Sequence, residues 1–374
     1  MTTIEDMSLL QYTSLLSIIV VSILISIYYQ STNFNHIRFR LTHTLLTYKY
    51  RLWSRSNDNN DQTSFEYKAF KTLMERLEIF SLNLTADPLD VAKEFRKKYQ
   101  FSDILPRSMR CHIKKKQYTF DNRLVNGYWI DDSDEERQTP TANIILYFHG
   151  GAYIAGDMRG YCGYECHLSN LFNISVYHLE YRRAPEYRLP VIVDDALILY
   201  KALLNEDARI NQKLIVMGDS AGGGLSLLLI QQIVKQQLPI PRGIILLSPW
   251  ADLSLTGESN KRYPDLMFVY NYLVWSVKQA TGNEDLNKNT DPLVSPVFGS
   301  FKNFPPMYLS VGTAELSESD ALAIYKKAKQ QNVNVQIEIG QNLMHTYPIF
   351  YLYYPEAQQT LNNIKRWIEK ILLD

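Results

Sequence analysis

The chain has little cysteine, little histidine and no excess of charge of either sign. Its 39 Lys and Arg balance 39 Asp and Glu over 374 residues. That excludes the basic stripe of a nucleic-acid binder and the acidic tail of a protein that docks through charge. Three cysteines, Cys111, Cys162 and Cys166, are too few for a disulfide framework. Cys162 and Cys166 fall four apart, on one face of a helix, but no further ligand stands beside them at metal-site spacing. They read as ordinary thiols, and neither a metal nor another cofactor is expected. No internal repeat is visible.

What the chain does have is one long apolar run near its start. Leu9 to Tyr29 carries no charge and is dominated by Leu, Ile and Val, about the length that spans a bilayer as a helix. The residues before it include Glu5 and Asp6, whereas a cleaved signal peptide starts basic and has a shorter apolar core. Tyr28 and Tyr29 stand where interfacial aromatics belong. Residues 1–30 therefore read as an uncleaved, single-pass anchor. Arg38, Arg40, Lys49, Arg51 and Arg55 follow it, which by the positive-inside rule sends the rest of the chain to the cytosol. Asn83-Leu84-Thr85 and Asn173-Ile174-Ser175 are glycosylation sequons, which have meaning only in the secretory lumen. The residues leave both sides open.

Beyond the anchor, residues 31–64 are mixed and polar and read as a linker. Residues 65–115 carry helical apolar spacing, with Asp87 before Pro88 as a helix start. From 116 to 374, short β-rich runs such as "NIILYFH", "SVYHLEYR", "KLIVMGD", "RGIILLS" and "PMYLSVG" alternate with helical segments. Near-continuous apolar strands between helices predict a mostly parallel sheet covered on both faces. In such a fold, functional groups collect at the carboxyl ends of the strands.

Three strand ends carry chemistry. "KLIVMGD" runs into Gly218-Asp219-Ser220-Ala221-Gly222 and then a helix, the strand–turn–helix setting of a nucleophile elbow that would expose the Ser220 hydroxyl above the sheet. A serine needs a base, and His345 is the one histidine of seven that follows Ser220. An acid to orient it is expected after "PMYLSVG", where Glu315, Glu318 and Asp320 stand. Glu315 comes first in that loop and is the preferred candidate, with Asp320 as the alternative. Glu318 and Asp320 also suit the start of the next helix. An oxyanion hole needs fixed N–H donors, and Gly150, Gly151 and Ala221 are the candidates. His149 reads as a structural residue of its loop.

These motifs resemble the hormone-sensitive-lipase family of α/β-hydrolases, which includes arylacetamide deacetylases and fungal steryl acetyl hydrolases. The resemblance runs from about Asn143 to the C-terminus through "HGGAY", "EYRRAPEYRLP", "GDSAGG", "LLSPWADLS", "DPLVSP", "PPMYLSVGTAE" and "LMH". It implies an α/β-hydrolase fold with a helical cap built from residues 65–115 and an insertion near 253–290. It also implies Ser220 as nucleophile, His345 as base, and Gly150, Gly151 and Ala221 as donors. Two positions depart from the family pattern. Ala152 stands where many members have a third glycine, and Glu315-Leu316-Ser317 stands for Asp-Pro-Leu, which keeps Asp320 open. With the anchor, the layout is similar to fungal steryl acetyl hydrolases of the endoplasmic reticulum membrane, whose catalytic domain is lumenal. The expected activity is hydrolysis of hydrophobic esters, sterol acetates first, through an acyl-serine intermediate. The alternatives are an arylacetamide-type deacetylase, an acylglycerol lipase, or a non-catalytic ligand-binding relative.

Overall fold

A computed structural model of the protein describes residues 13, 14, 16, 17, 20, 21, 34–53, 63–132, 143–262 and 270–373. Its centre is an eight-stranded sheet in the order β1-β2-β4-β3-β5-β6-β7-β8. The strands are β1 (Cys111–Phe120), β2 (Arg123–Asp132), β3 (Ile144–Phe148), β4 (Ser175–Leu179), β5 (Leu214–Asp219), β6 (Gly243–Leu247), β7 (Met307–Gly312) and β8 (Val335–Gly340). β2 runs antiparallel to β1 and β4; every other neighbouring pair is parallel. All residues of β3 through β7 are buried, as strands covered on both faces must be. This is the mostly parallel sheet that the apolar runs predict.

The covering helices follow from the same logic. Helix α6 (Ala221–Lys235) buries every residue from Ala221 to Ile230, so it is apolar all round and belongs inside the core. Helices α4 (Met158–Phe172), α5 (Leu189–Glu206), α8 (Glu318–Gln330) and α9 (Pro355–Leu373) complete the layers.

Above the carboxyl ends of the strands sit α2 (Phe65–Glu75), α3 (Pro88–Lys98) and α7 (Tyr270–Thr281). α3 begins where the sequence predicts: the Asp87 side chain accepts from the Leu89 N–H, and Pro88 takes a first-turn position that needs no donor. The Tyr272 ring lies 5.3 Å from Phe80 and 4.6 Å from Phe95, centroid to centroid, so α7 packs on the N-terminal segment. Arg96 of α3 donates to the carbonyls of Ile154 and Ala184 and to Glu186, tying the cap to the loops after β3 and β4.

Four expectations change or fall elsewhere. The supposed linker contains α1 (Phe34–Trp53), a 20-residue helix. It docks through buried His36, His43 and Thr47, with His43 Nε2 2.9 Å from the Glu66 carbonyl and the Phe39 ring 5.2 Å from Tyr353. Because its buried residues, His36, His43 and Thr47, are all polar, it shows no apolar period. The stretch assigned to cap helices ends in a strand, since β1 and β2 form a hairpin. Asp121 and Asn122 both have positive φ there, 52° and 56°, as a two-residue turn matched to strand twist requires. Cys166 is not an ordinary thiol: it is bonded to Cys111 in a disulfide, and Cys162 is the free cysteine. Its partner is 55 residues away in the chain, so local spacing gives no hint of it. The anchor expected at residues 9–29 lies largely outside the described residues, among which no helix is long and apolar enough to cross a membrane.

Candidate active site

Ser220 sits at the junction of β5 and α6 with φ 51° and ψ −120°, backbone that a β-substituted residue adopts only under constraint. Its N–H donates to Leu247 at 2.8 Å, and its carbonyl accepts from Trp250 at 2.9 Å and Gly224 at 3.1 Å. Gly222 explains the motif's spacing: a Cβ there would lie 2.0 Å from the Phe148 carbonyl oxygen. Only glycine lets α6 start this close to β3. Ser220 is 1% exposed, and among the described residues its Oγ has no hydrogen-bond partner.

His345 follows β8, in the loop before the turn Tyr347–Phe350. Its Nδ1 donates to Glu315 Oε2. The other oxygen, Oε1, accepts from Ser248 Oγ at 2.8 Å and from the Gly312 N–H at 2.6 Å. The Thr346 N–H in turn donates to Ser248 Oγ at 2.9 Å. β6, β7 and β8 thus deliver Ser248, Glu315 and His345 to one point beyond the sheet edge. Burial pushes the Glu315 carboxyl up to about 8, against the lowering by Ser248 and Gly312. Asp320, the alternative acid, points elsewhere. Its Oδ2 accepts from the N–H groups of Ala251 (2.7 Å) and Asp252 (2.8 Å), so it holds the loop after β6. It also lies with Glu318 in the first turn of α8.

The amides expected to face the substrate are partly reassigned. The Gly150 N–H donates to Asp219 Oδ1 at 2.9 Å, so this donor is already taken. Among the described residues the Gly151 and Ala152 N–H groups meet no acceptor, and Ala221, first residue of α6, has no intrahelical i−4 carbonyl to bond. Gly151, Ala152 and Ala221 are therefore uncommitted amides near Ser220. Gly151 has φ 111°, and a Cβ there would lie 2.3 Å from the Ala155 carbonyl oxygen, so the turn requires glycine at that point. Ala152 takes φ 56° without a third glycine.

Asp219 is a residue the sequence reading passes over. It accepts from Tyr147 (2.7 Å), Tyr161 (2.9 Å) and Gly150, and so locks the turn after β3 against the elbow. Burial raises it to about 6, while those three donors and His345 pull it back. The available signal was an acidic residue at the end of an otherwise apolar strand. Ser248 stands in "LLSPWADLS", but nothing in that motif assigns it to the acid. His149 is structural in its contacts: it is fully buried, burial lowers it to about 3, and its ring stacks on Tyr181 at 4.2 Å. Beside Ser220 is a cavity of about one water molecule's size, lined by Ser220, Trp250, Asn260, Leu273, Leu316 and Ser317.

A parallel sheet with a strained serine elbow, a histidine–carboxylate pair beyond the next strands and uncommitted amides across from them defines a hydrolase. A family model described as alpha/beta hydrolase fold matches residues 145–349, and the chain belongs to that family, in its hormone-sensitive-lipase branch. It is 28% identical to an esterase of Acinetobacter venetianus, over 71% of this chain and 87% of that one. It is 27% identical to an acetyl-hydrolase of Streptomyces hygroscopicus, over 62% and 76%. Among solved structures, an esterase of the bacterial hormone-sensitive-lipase family aligns with a TM-score of 0.71 at 25% identity, over 83% of this chain and 100% of that one. The protein is an ester-hydrolysing enzyme, a carboxylesterase.

Proposed function

We propose that the protein is a membrane-anchored serine carboxylesterase that removes short acyl groups, acetyl above all, from hydrophobic alcohols such as sterols. Ser220 Oγ attacks the ester carbonyl while His345 Nε2 takes its proton. Glu315 holds the His345 Nδ1–H and stabilises the imidazolium that forms. The oxyanion is received by the N–H groups of Gly151, Ala152 and Ala221. His345 then protonates the departing alcohol, and water repeats the sequence on the acyl-Ser220 ester to release the acid. The observation that carries this reading is the buried Glu315–His345 pair, fixed by Ser248 and Gly312, together with a serine hydroxyl that has no hydrogen-bond partner among the described residues.

The short acyl group is in keeping with the small cavity against Ser220, lined among others by Trp250 and Leu273. The names of two relatives, an acetyl-hydrolase and an ethyl acetate hydrolase, point the same way. The anchor is supported by the uncharged run Leu9–Tyr29. Within it, Leu16, Val20 and Val21 are helical and exposed, as lipid-facing side chains would be. A catalytic domain in the lumen of the endoplasmic reticulum is supported by the Cys111–Cys166 disulfide, since disulfides persist in oxidising compartments. Asn83 is exposed and available in its sequon.

The test is hydrolysis of p-nitrophenyl esters of increasing acyl length and of a sterol acetate, by wild type and Ser220→Ala. Turnover that falls steeply beyond acetyl, includes the sterol acetate and vanishes in Ser220→Ala supports the proposal. A preference for long acyl chains makes the protein a lipase instead. Turnover of p-nitrophenyl acetate without sterol acetate rejects the sterol.

A further inference from the structure

The sheet gathers a cluster that ester hydrolysis does not use. β3 and β4 pair in parallel with Tyr147 opposite His178, and alternate residues of a strand share a face. His149, two beyond Tyr147, and Glu180, two beyond His178, therefore come out on the same face as His178. One ligand atom from each of the three lies within 4.8 Å of the other two. We propose that His149, His178 and Glu180 bind one divalent transition-metal ion of the zinc class, through Nε2 of each histidine and the Glu180 carboxylate.

The hydrogen bonds around the cluster select those atoms. His149 Nδ1 lies 2.7 Å from the Gly150 carbonyl oxygen. A carbonyl only accepts, so Nδ1 carries the proton and the lone pair is on Nε2. His178 Nδ1 lies 2.7 Å from Glu165 Oε1, and Glu165 is fully buried. A carboxylate behind a ring nitrogen is the arrangement that orients metal-ligating histidines and raises their basicity. Among the described residues, Nε2 of His149 has no hydrogen-bond partner and Nε2 of His178 faces only Glu180 Oε2, although both side chains are fully buried, a condition proteins rarely leave unresolved.

The spacing also fits. His178 Nε2 is 3.5 Å from Glu180 Oε2, long for a hydrogen bond but close to the ~3.3 Å edge of a tetrahedron with metal–ligand bonds of ~2.0–2.1 Å. The two imidazole centroids are 5.3 Å apart with ring planes 13° from parallel, so both Nε2 atoms reach one ion only after a ring rotates to bring the ion into its plane. The Glu180 side chain is 24% exposed, which gives the ion an entry path and leaves water for the fourth position. Glu165 and Glu180 supply the negative charge, opposed by Arg183, whose guanidinium is 3.6 Å from Glu180 Oε1. His149 leads directly into Gly150–Ala152, so the ion would brace the turn that presents the uncommitted amides. Its role is structural. The competing arrangement of the same groups is a protonated His178 held between Glu165 and Glu180 with no ion.

The full chain, stripped with chelator, is titrated with Zn2+ and read by metal analysis after gel filtration and by thermal melting. Co2+ is added in parallel and its visible absorption recorded. The expected result is one ion per chain, a higher melting temperature on saturation, and the intense Co2+ bands of a four-coordinate site. Glu180→Gln, which keeps an oxygen for the Met158 N–H, should weaken binding at least tenfold, and Glu165→Gln by roughly 10–100-fold. Ser220→Ala should bind as wild type does. Failure of the folded wild type to take up one Zn2+ overturns the proposal in favour of the protonated His178. Undiminished binding by Glu180→Gln overturns it too, by assigning the ion to other histidines. Weakened binding by Ser220→Ala would move the ion to the hydrolytic site, and the proposal would fall while the esterase reading stood.

Discussion

Replacing Glu315 by Gln changes one atom and should abolish turnover with little loss of fold. In the wild type, Oε1 accepts from Ser248 Oγ and the Gly312 N–H, and Oε2 accepts from His345 Nδ1. The Gln carbonyl can keep both bonds on the Oε1 side. Its NH2 then faces the His345 Nδ1–H, donor against donor, and the ring relieves this by moving its proton to Nε2. In that tautomer the nitrogen meant for Ser220 has no lone pair. The analogous acid-to-amide change in a serine protease costs about 10⁴ in kcat, so a loss of roughly 10³–10⁴, or about 4–5 kcal/mol, is expected here. Asp320→Asn is the control. Its side-chain oxygen can still accept from Ala251 and Asp252, so kcat should stay within about tenfold. Initial rates on p-nitrophenyl acetate decide between them, with circular dichroism confirming the fold of both variants. Ser220→Ala combined with Glu315→Gln should be no worse than Ser220→Ala alone, because residues acting as a unit are not additive. Normal turnover by Glu315→Gln together with collapse in Asp320→Asn would refute the reasoning.

The raised Glu315 sets a pH dependence: its carboxylate form, which His345 requires, is half formed at about 8, so kcat/KM should climb with pH through 8 and level off about a unit above it, as a property of the pair. A profile flat down to about pH 5 would contradict this. Gly222→Ala places a methyl 2.0 Å from the Phe148 carbonyl oxygen, backbone on both sides, and should cost about 3 kcal/mol or more in urea denaturation; near-wild-type stability would mean that α6 is free to shift. Cys166→Ser removes a crosslink over 55 residues, for which chain entropy gives about 4 kcal/mol. The same loss should appear when the wild type is unfolded under reducing conditions.

The sheet was legible because β3 to β7 are buried on both faces, and continuous apolar runs have few other meanings. Ser220 was legible because its glycines are forced by contacts with backbone, which leave a fixed spacing in the sequence. His345 followed from scarcity alone. What failed to show depends on groups that carry no pattern. α1 buries His36, His43 and Thr47 beside its apolar residues, so its period is broken in the sequence although its packing is regular. Gly150 and Gly151 look equivalent as letters, yet one amide is consumed by Asp219 and the other is not. That distinction exists only once β3 and β5 lie side by side with Phe148 opposite Gly218. The Cys111–Cys166 bond joins the start of β1 to the middle of α4, a proximity set by the antiparallel hairpin that the strand pattern also missed.

Three buried carboxyls at the strand ends share one physical predicament and resolve it differently. Asp219, Glu315 and Asp320 are each raised, first of all by burial, so each favours its neutral form and must be held by donors to ionise. Asp219 has two tyrosine hydroxyls and one amide, and it is pulled back to about 6. Asp320 has two amides and the neighbouring Asp252, whose charge drives it further up. Glu315 lies between them, with a hydroxyl, an amide and His345. A raised acid binds its proton more tightly folded than unfolded, so its contribution to stability is full below the ordinary value of 4.5 and is lost as pH rises through about 8. The condition that completes the Glu315–His345 pair is thus the condition that weakens the fold around it. Ser248 offsets part of this cost: its hydroxyl donates to Glu315 Oε1, which favours the charged form, and accepts from the Thr346 N–H, which ties β6 to the loop after β8.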